Sequence, residues 1–328
     1  MLNNILKEIK ASRKMTLMEV CGGHTHTIMK YGIRDAIPKN IRLISGPGCP
    51  VCVSSQKDID CMIEIANKGI PVATYGDMLR VPGSKGTLDD ARRTGAIVLT
   101  VYSAEEVIRM KEEYPEIVFF GIGFETTAPM TTFLLENDIC VYSVHKTIPE
   151  AMEILAKEID GFISPGHVAT IIGEKEFERV KTAQVISGFS PEQMVRSIYL
   201  LTNMIENKKT GVINGYPEAV SREGNHIAQD RMKKYFKKTD SEWRGLGIIP
   251  DSGLEVRDDR LNAKKKYKKL IERIEGKENP ACRCGEVLQG MDPRECSLFK
   301  KKCNPENPQG ACMVSEEGSC QIAYRYNG

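Results

Sequence analysis

The sequence of 328 residues has no apolar run near the roughly 20 residues that a membrane-spanning helix needs, and no excess of charge of either sign. Lysine and arginine number 46 against 44 aspartates and glutamates, a balance that gives no general attraction to nucleic acid or to an anionic membrane. The opening stretch is polar and amphipathic and lacks the pattern of a secretory signal peptide. We therefore expect a cytoplasmic protein that binds neither nucleic acid nor membrane.

Aromatic residues are also scarce, at 6%, but apolar residues make up 41% of the chain, which is enough for packed cores. Cysteine, in contrast, is abundant, with eleven residues. Because the cytosol keeps ordinary thiols reduced, these cysteines are better interpreted as metal ligands or redox thiols than as structural bridges. Cys61 and Cys140 fall within a helical and a strand pattern, and we interpret these two as small core residues.

Short apolar strands alternate with helical patterns over residues 15–215. This alternation predicts an α/β protein with parallel, doubly wound sheets, whose ligands lie at the carboxyl ends of the strands. A faint similarity between residues 44–49 and residues 163–167 indicates two related α/β domains that face each other across a cleft. We expect the first domain at residues 15–130 and the second at residues 131–215.

The pattern changes in the last third of the chain. Charged helices are predicted at residues 217–238 and 258–275, on either side of a glycine- and proline-rich segment at residues 243–253. Regular patterns fade after them, so the end of the chain cannot bury a core of its own. We group residues 1–14, which read as a helix, with residues 216–328 as a cysteine-rich iron–sulfur domain with flanking helices.

The cysteines of this tail suggest a metal centre. Six lie there, namely Cys282, Cys284, Cys296, Cys303, Cys312 and Cys320. Neither the Cys-x-x-Cys knuckles of zinc sites nor the Cys-x-x-Cys-x-x-Cys run of bacterial ferredoxins is present. An all-thiolate set without histidine favours an iron–sulfur cluster over zinc. A four-iron cluster takes four thiolates, which leaves two cysteines to pair or to stay free.

A second group of cysteines follows two short strand patterns on glycine-rich loops. Cys49 and Cys52 have the Cys-x-x-Cys spacing of redox dithiols, and a helix that starts close by favours their thiolate forms. Cys21 precedes Gly22 and Gly23, which let another backbone or a ligand approach closely. We interpret the three cysteines as a soft-metal and redox site.

Three further side chains are candidates for this site. His24 can orient a thiolate, relay a proton or ligate metal, whereas His26 is better interpreted as a hydrogen-bonded loop histidine. Glu125 follows a strand pattern in a glycine-rich segment that is not a dinucleotide-binding fingerprint. It is interpreted either as an acid/base or iron-facing group, or as a carboxylate at a helix N-terminus.

Six motifs of this chain resemble the signatures of one family, the hydrogenase maturation factor HypD. They are EVCGGHTH (19–26), GPGCPVC (46–52), GIGFETTAP (121–129), SPGHV (164–168), CRCG (282–285) and GACMVSEEG (310–318). The resemblance covers nearly the whole chain, and no signature cysteine is missing. It implies two α/β domains and a cluster domain, in agreement with the interpretation of the pattern above.

The resemblance also implies a function. The family helps to assemble the Fe(CN)2CO group of [NiFe] hydrogenase, together with a small chaperone, HypC, and with cyanide received through HypE. Cys21 would be the iron-binding thiolate, shared with the terminal cysteine of the chaperone, and Cys49 and Cys52 would be a redox-active dithiol or its disulfide. We expect the free chain to be a monomer.

By the same resemblance, the tail would hold a [4Fe-4S] cluster. Its ligands would be Cys282, Cys296, Cys303 and Cys320. Cys284 and Cys312 would form an extra pair.

Two other functions stay open. A stand-alone protein disulfide reductase that draws electrons from an iron–sulfur cluster would account for Cys49, Cys52 and the tail, but it leaves Cys21 and His24 without a role. A binding module with a structural zinc tail would need no redox chemistry at all.

Overall fold

The computed structural model describes residues 2–326, with side chains from residue 4 onward. Three residues of the predicted segments 1–14 and 216–328, namely Met1, Asn327 and Gly328, lie outside the described residues.

The described residues form an alternation of helices and strands. The helices are α1 Leu2–Glu8, α2 Gly22–Lys30, α3 Ile33–Ala36, α4 Pro50–Val53, α5 Gln56–Asn67, α6 Leu88–Arg93, α7 Ala104–Met110, α8 Ala128–Glu136, α9 Ile148–Leu155, α10 Gly166–Ile172, α11 Pro191–Glu206, α12 His226–Tyr235, α13 Ala263–Lys266, α14 Lys268–Ile271, α15 Cys284–Val287, α16 Ala311–Val314 and α17 Ser319–Tyr326. The strands are β1 Met15–Glu19, β2 Ile41–Ser45, β3 Val72–Tyr75, β4 Val98–Val101, β5 Val118–Gly123, β6 Cys140–His145, β7 Gly161–Pro165, β8 Ala183–Ser187, β9 Gly211–Asn214, β10 Phe236–Trp243 and β11 Gly247–Val256. Short 3-10 helices occur at Gly76–Arg80, Glu174–Arg179 and Pro293–Glu295.

Nine of these strands make two parallel sheets. One sheet has the order β2-β1-β7-β8-β9 and the other the order β4-β3-β5-β6. Strands β5 to β8 are buried along their whole length, as expected where helices cover both faces of a parallel sheet. The predicted α/β class, with parallel sheets and a cysteine-rich region, is confirmed.

Sheet membership does not follow the predicted division at residue 130. The five-stranded sheet pairs β1 with both β2 and β7, so it joins strands from the two ends of the α/β region. The four-stranded sheet lies between them in the chain and includes strands from both sides of residue 130. Alternation of apolar residues shows that a segment is a buried strand, but not which sheet it joins.

The helix predicted at residues 217–238 is largely wrong. The structure has only α12 there, and then the antiparallel hairpin of β10 and β11. Strand β10 is buried at its two ends, Phe236 and Trp243, and exposes Lys238, Asp240 and Glu242 between them. Its charged composition resembles that of an exposed helix, which is why the sequence predicted a helix here. Trp243 anchors the hairpin, because its ring is fully buried against Phe124 and its indole N–H donates to Ser252 Oγ at 2.8 Å. The helix predicted at residues 258–275 is broken into α13 and α14.

The cysteine-rich tail packs on the rest of the molecule through two short helices. Helix α17 lies against α2, and α16 lies against α4. At the first of these contacts the Tyr326 hydroxyl and His26 Nε2 are 2.8 Å apart. A segment without a large core of its own is thus held by burial against the α/β part. No helix within residues 2–326 is long and apolar enough to span a bilayer.

Candidate metal and redox centre

Cys21 lies at the carboxyl edge of the five-stranded sheet, between β1 and α2. Its backbone is extended, with φ −160° and ψ 128°, and α2 begins at the next residue rather than after a glycine loop as we expected. The thiol is half-buried. Burial, followed by the negative charge of Glu317, raises its pKa to about 12, although the backbone N–H groups of His24 and Gly23 act in the opposite direction. The free thiol therefore keeps its proton at neutral pH, and a bound cation would reverse that balance.

The Glu19 side chain forms a hydrogen bond with the backbone of Cys21. It is fully buried and accepts hydrogen bonds from the backbone N–H of Cys21, at 3.1 Å, and from the Thr25 hydroxyl. Burial raises the pKa of Glu19 to about 7. Sequence reasoning gave Glu19 no role, although a carboxylate at the end of an otherwise apolar strand was a signal for one.

His24 occupies the first turn of α2 and is fully buried. Its Nε2 lies 3.2 Å from the carbonyl oxygen of Ser187, so this nitrogen carries the proton, and Nδ1 is a buried acceptor without a hydrogen-bond partner. Burial lowers the pKa of His24 to about 4, and the ring is neutral at pH 7. His26, in contrast, pairs with the Tyr326 hydroxyl, as a hydrogen-bonded histidine of the kind we favoured.

Cys49 and Cys52 form a disulfide at the start of α4, with their Cα atoms 5.3 Å apart. Both residues are buried, with 3% and 0% exposure. The loop that leads into them touches Cys21: the backbone N–H of Gly22 donates to the Gly48 carbonyl at 3.3 Å. A Cβ atom on Gly48 would lie only 2.2 Å from the Cys21 backbone nitrogen. The structure thus brings together the two cysteine motifs that the sequence separates.

Glu317, in the cysteine-rich tail, lies close to Gly22, the residue after Cys21. It lies between α16 and α17, and a Cβ atom on Gly22 would be 2.4 Å from the Glu317 Cβ. The negative charge of the Glu317 carboxylate raises the pKa of the Cys21 thiol. Glu317 belongs to the motif GACMVSEEG, but nothing in the sequence indicates that it lies close to Cys21.

Five of the six tail cysteines line one small cavity. They are Cys282, Cys284, Cys296, Cys303 and Cys320. Apolar side chains complete its wall, among them Leu298 and Phe299. The sulfur atoms of Cys282 and Cys284 are 3.3 Å apart, and Gly310 lies against both.

Cys312 is fully buried beside this cavity. Hydrogen bonds with Cys284 and Cys320 hold the pKa of Cys312 well below its usual range. Cys284 and Cys312, which we expected to form a pair, are in hydrogen-bond contact but are not joined by a disulfide. Both are free thiols among the described residues.

The donor set of the cavity fits an iron–sulfur cluster. Within residues 2–326, no group of three or more histidine, cysteine, aspartate or glutamate side chains is arranged around a single ion. A four-iron cluster makes a different demand, because each of its thiolates binds a different iron. An all-sulfur, apolar-walled cavity meets that demand and offers nothing to an oxygen-seeking cation.

Arg244 lies between the disulfide and this cavity. Its Nε donates to the carbonyl oxygen of Cys52 at 3.1 Å, and the guanidinium pairs with Glu278 at 2.6 Å, four residues before Cys282. The pKa of Cys282 is raised by its hydrogen bond to Cys284 and by burial, and the charge of Arg244 acts against that rise. Arg244 gave no signal in the sequence, because it lies in a strand-turn segment far from every cysteine motif.

Glu125 lines a different cavity. It is buried at the end of β5, in a cavity whose lining residues include no cysteine. A role for Glu125 as an acid/base or iron-facing group stays a prediction.

Two parallel sheets, a half-buried Cys21 in backbone contact with the loop before a buried disulfide, and a cavity lined by five cysteines define an α/β protein whose cysteine-rich region is compatible with metal or iron–sulfur binding. The sequence profile described as "HypD: Hydrogenase formation hypA family" matches residues 1–327. The chain belongs to this family of hydrogenase formation proteins.

Individual relatives agree with the profile. A putative hydrogenase expression/formation protein of Methanocaldococcus jannaschii is 40% identical, over 99% of this chain and 96% of its own length. The hydrogenase maturation factor HypD of Azotobacter vinelandii is 40% identical over 98% and 92%. The HypD of Escherichia coli K12 is 37% identical over 96% and 90%.

Proposed function

We propose that this chain acts in hydrogenase maturation as the scaffold on which the Fe(CN)2CO group is assembled, with Cys21 as the thiol that holds the iron. The observation that carries the proposal is the placement of Cys21, half-buried at a sheet edge and in backbone contact with the loop before Cys49. An iron that carries cyanide and carbonyl is a soft metal and suits a thiolate. Because the pKa of Cys21 is high, binding of iron would release the thiol proton.

Reducing power would come from the tail. We propose that the thiol-lined cavity holds a [4Fe-4S] cluster through Cys282, Cys296, Cys303 and Cys320, and that Cys284 and Cys312 remain as an additional pair. Such a cluster, when bound, supplies electrons one at a time. The Cys49–Cys52 disulfide takes up two electrons and two protons to become two thiols. Arg244 donates a hydrogen bond to the backbone carbonyl oxygen of Cys52.

Membership of this family implies partners within the hydrogenase maturation machinery. We propose a HypC-type chaperone, whose terminal cysteine shares the iron with Cys21, and a HypE-type cyanide donor. The partial exposure of residue Cys21 supports this arrangement, since a second sulfur ligand has to reach the same iron. A fully buried cysteine such as Cys61 could not share a metal with another chain.

The test is anaerobic co-purification of the chain with the small chaperone, followed by infrared spectroscopy for iron-bound cyanide and carbonyl. Cys21→Ala should remove these bands and leave the iron and sulfide of the tail unchanged. Cys140→Ala is the matched control, because it removes a buried thiol from strand β6, and it should keep the bands. Cyanide bands in the Cys21→Ala protein would overturn the assigned role, and colourless, zinc-loaded protein would favour a structural zinc tail.

A disulfide reductase that draws electrons from the tail is the second candidate, and the formed Cys49–Cys52 disulfide favours it. Its difficulty is access, because both sulfur-bearing residues are buried and a protein disulfide could not reach them directly. Turnover of a protein disulfide by the chain alone, without a chaperone, would support this function over the first.

A further inference from the structure

A second cavity, apart from the cysteines, lies between α9, α12 and the β10–β11 hairpin. Its volume is about 390 Å³, within the range of small-molecule sites. Apolar side chains form much of its wall, namely Ile172, Met232, Phe236 and Leu254. Two buried glutamates, Glu125 and Glu150, lie at the same cavity, and each has one oxygen without a hydrogen-bond partner. Buried polar atoms are nearly always paired, so these two oxygens indicate a ligand.

Glu125 offers a hydrogen-bond donor to this cavity. Its Oε1 accepts from the backbone N–H of Ile148 at 3.0 Å, and its Oε2 is the atom without a partner. Burial raises the pKa of Glu125 to about 8, so the carboxyl group is protonated at neutral pH. Because Oε1 already accepts a hydrogen bond from the backbone, the proton belongs on Oε2.

Glu150 offers the opposite group. Its Oε1 accepts from Arg179 at 2.7 Å and from Lys238 at 2.5 Å, and its Oε2 is buried without a partner. Burial opposes ionisation, but the hydrogen bond and charge of Lys238, together with the nearby Thr147 hydroxyl, outweigh it and keep the pKa of Glu150 below its usual range. The free oxygen is therefore an acceptor in need of an N–H or O–H group. The Thr147 hydroxyl lines the same cavity and, like Oε2 of Glu150, is buried without a hydrogen-bond partner.

We propose that this cavity binds a small neutral molecule through a primary carboxamide or urea group. The carbonyl oxygen of such a group accepts from Glu125, its N–H donates to Glu150, and the apolar wall covers the rest of the molecule. A carboxylate ligand would offer nothing to Glu150, and an amidinium would offer nothing to the protonated Glu125. The site does not depend on the metal centre, because no cysteine lines the cavity.

The test compares three probes of the same shape, acetamide, acetate and acetamidinium, by NMR of the full chain labelled with ¹³C-methyl methionine. Met232 reports on the cavity wall, and Met232→Leu assigns its signal. We expect acetamide to shift this signal saturably at pH 7, with at least tenfold weaker binding of the other two probes. Equal binding of all three, or a preference for acetamidinium at pH 7, would overturn the proposal.

The variants separate chemistry from folding. Glu125→Gln keeps the shape, and since the Ile148 N–H fixes the amide oxygen, its NH2 group still donates into the cavity. This variant should bind acetamide equally at pH 7 and pH 9, whereas the parent chain should lose at least fivefold in affinity at pH 9 as Glu125 ionises. The other charged groups at the cavity are Glu176, Lys233, Lys238 and Arg257.

Two further variants complete the test. Glu125→Leu should abolish binding of acetamide, and Glu176→Gln is the control that changes a charge of the same cavity and should preserve it. Undiminished binding to Glu125→Leu, or the same loss at pH 9 in Glu125→Gln as in the parent chain, would show that Glu125 is not the donor.

Discussion

Arg244 donates a hydrogen bond from Nε to the carbonyl oxygen of Cys52 at 3.1 Å, across 192 positions of sequence. The guanidinium is buried, and its other contacts include Glu278, near the start of the cysteine-rich tail. These two contacts hold the positive charge of Arg244 beside the disulfide, close to the start of the cysteine-rich tail. Charge at this point should influence the disulfide, because reduction creates thiols that ionise.

Replacing Arg244 with glutamine should make the Cys49–Cys52 disulfide harder to reduce. The guanidinium stabilises the negative charge of the reduced form, so we expect its loss to lower the reduction potential by about 20 mV, or about 1 kcal/mol. Equilibration with glutathione buffers, followed by alkylation and mass analysis, measures this value. Arg244→Lys retains the charge and serves as the control. An unchanged potential in Arg244→Gln would contradict the prediction.

Glu317→Gln should make Cys21 more reactive. After burial, the charge of the Glu317 carboxylate is the largest cause of the raised pKa of the Cys21 thiol. Its removal therefore lowers this pKa and increases the thiolate fraction. We expect alkylation of Cys21 by iodoacetamide at pH 8 to accelerate by about two- to fivefold. Glu316→Gln is the matched control, because this neighbour pairs with Arg325 and is exposed. Equal acceleration in both variants would mean that the effect is not local.

Gly48→Ala should disturb the contact between the two cysteine motifs. The new Cβ atom would meet the Cys21 backbone nitrogen at 2.2 Å, where no flexible side chain can give way. We expect a loss of about 2–3 kcal/mol in the free energy of unfolding, measured with urea. Gly76→Ala is the control, since its nearest neighbour would lie at an ordinary 3.5 Å. Equal stability of the two variants would argue against the close approach.

His24 should make the protein less stable as the pH falls. Its pKa is lowered by burial to about 4 in the folded chain, against about 6.5 in the unfolded chain. The unfolded state therefore gains a proton first, and up to about 3 kcal/mol of stability is lost between pH 7 and pH 4. Urea unfolding at a series of pH values measures this loss.

The loss should be smaller in His24→Gln than in the parent chain. His226→Gln is the control, because His226 is exposed at the start of α12 and its replacement should leave the slope unchanged. A parent-like slope in His24→Gln would assign the acid sensitivity to other groups.

Local pattern determined the larger part of the fold. Alternating apolar strands and helices predicted parallel sheets, and the ends of β1 and β2 located Cys21 and Cys49 at a common edge, because parallel neighbours end on the same side. The cysteine motifs indicated a thiol-based site and one family before any contact was known. Predictions of this kind succeed where the chemistry is local, as in a Cys-x-x-Cys spacing or a helix start.

Contacts across long stretches of sequence were decided only by the tertiary structure. It assigned strands to sheets across residue 130, turned the charged segment after Tyr235 into a hairpin and placed Glu125 in the wall of a cavity that no cysteine lines. It also placed Arg244 beside Cys52 and Glu317 beside Gly22. The physical reason is the same in each case: periodicity records which face of a segment is buried, but the partner on that face depends on packing between residues far apart in the chain.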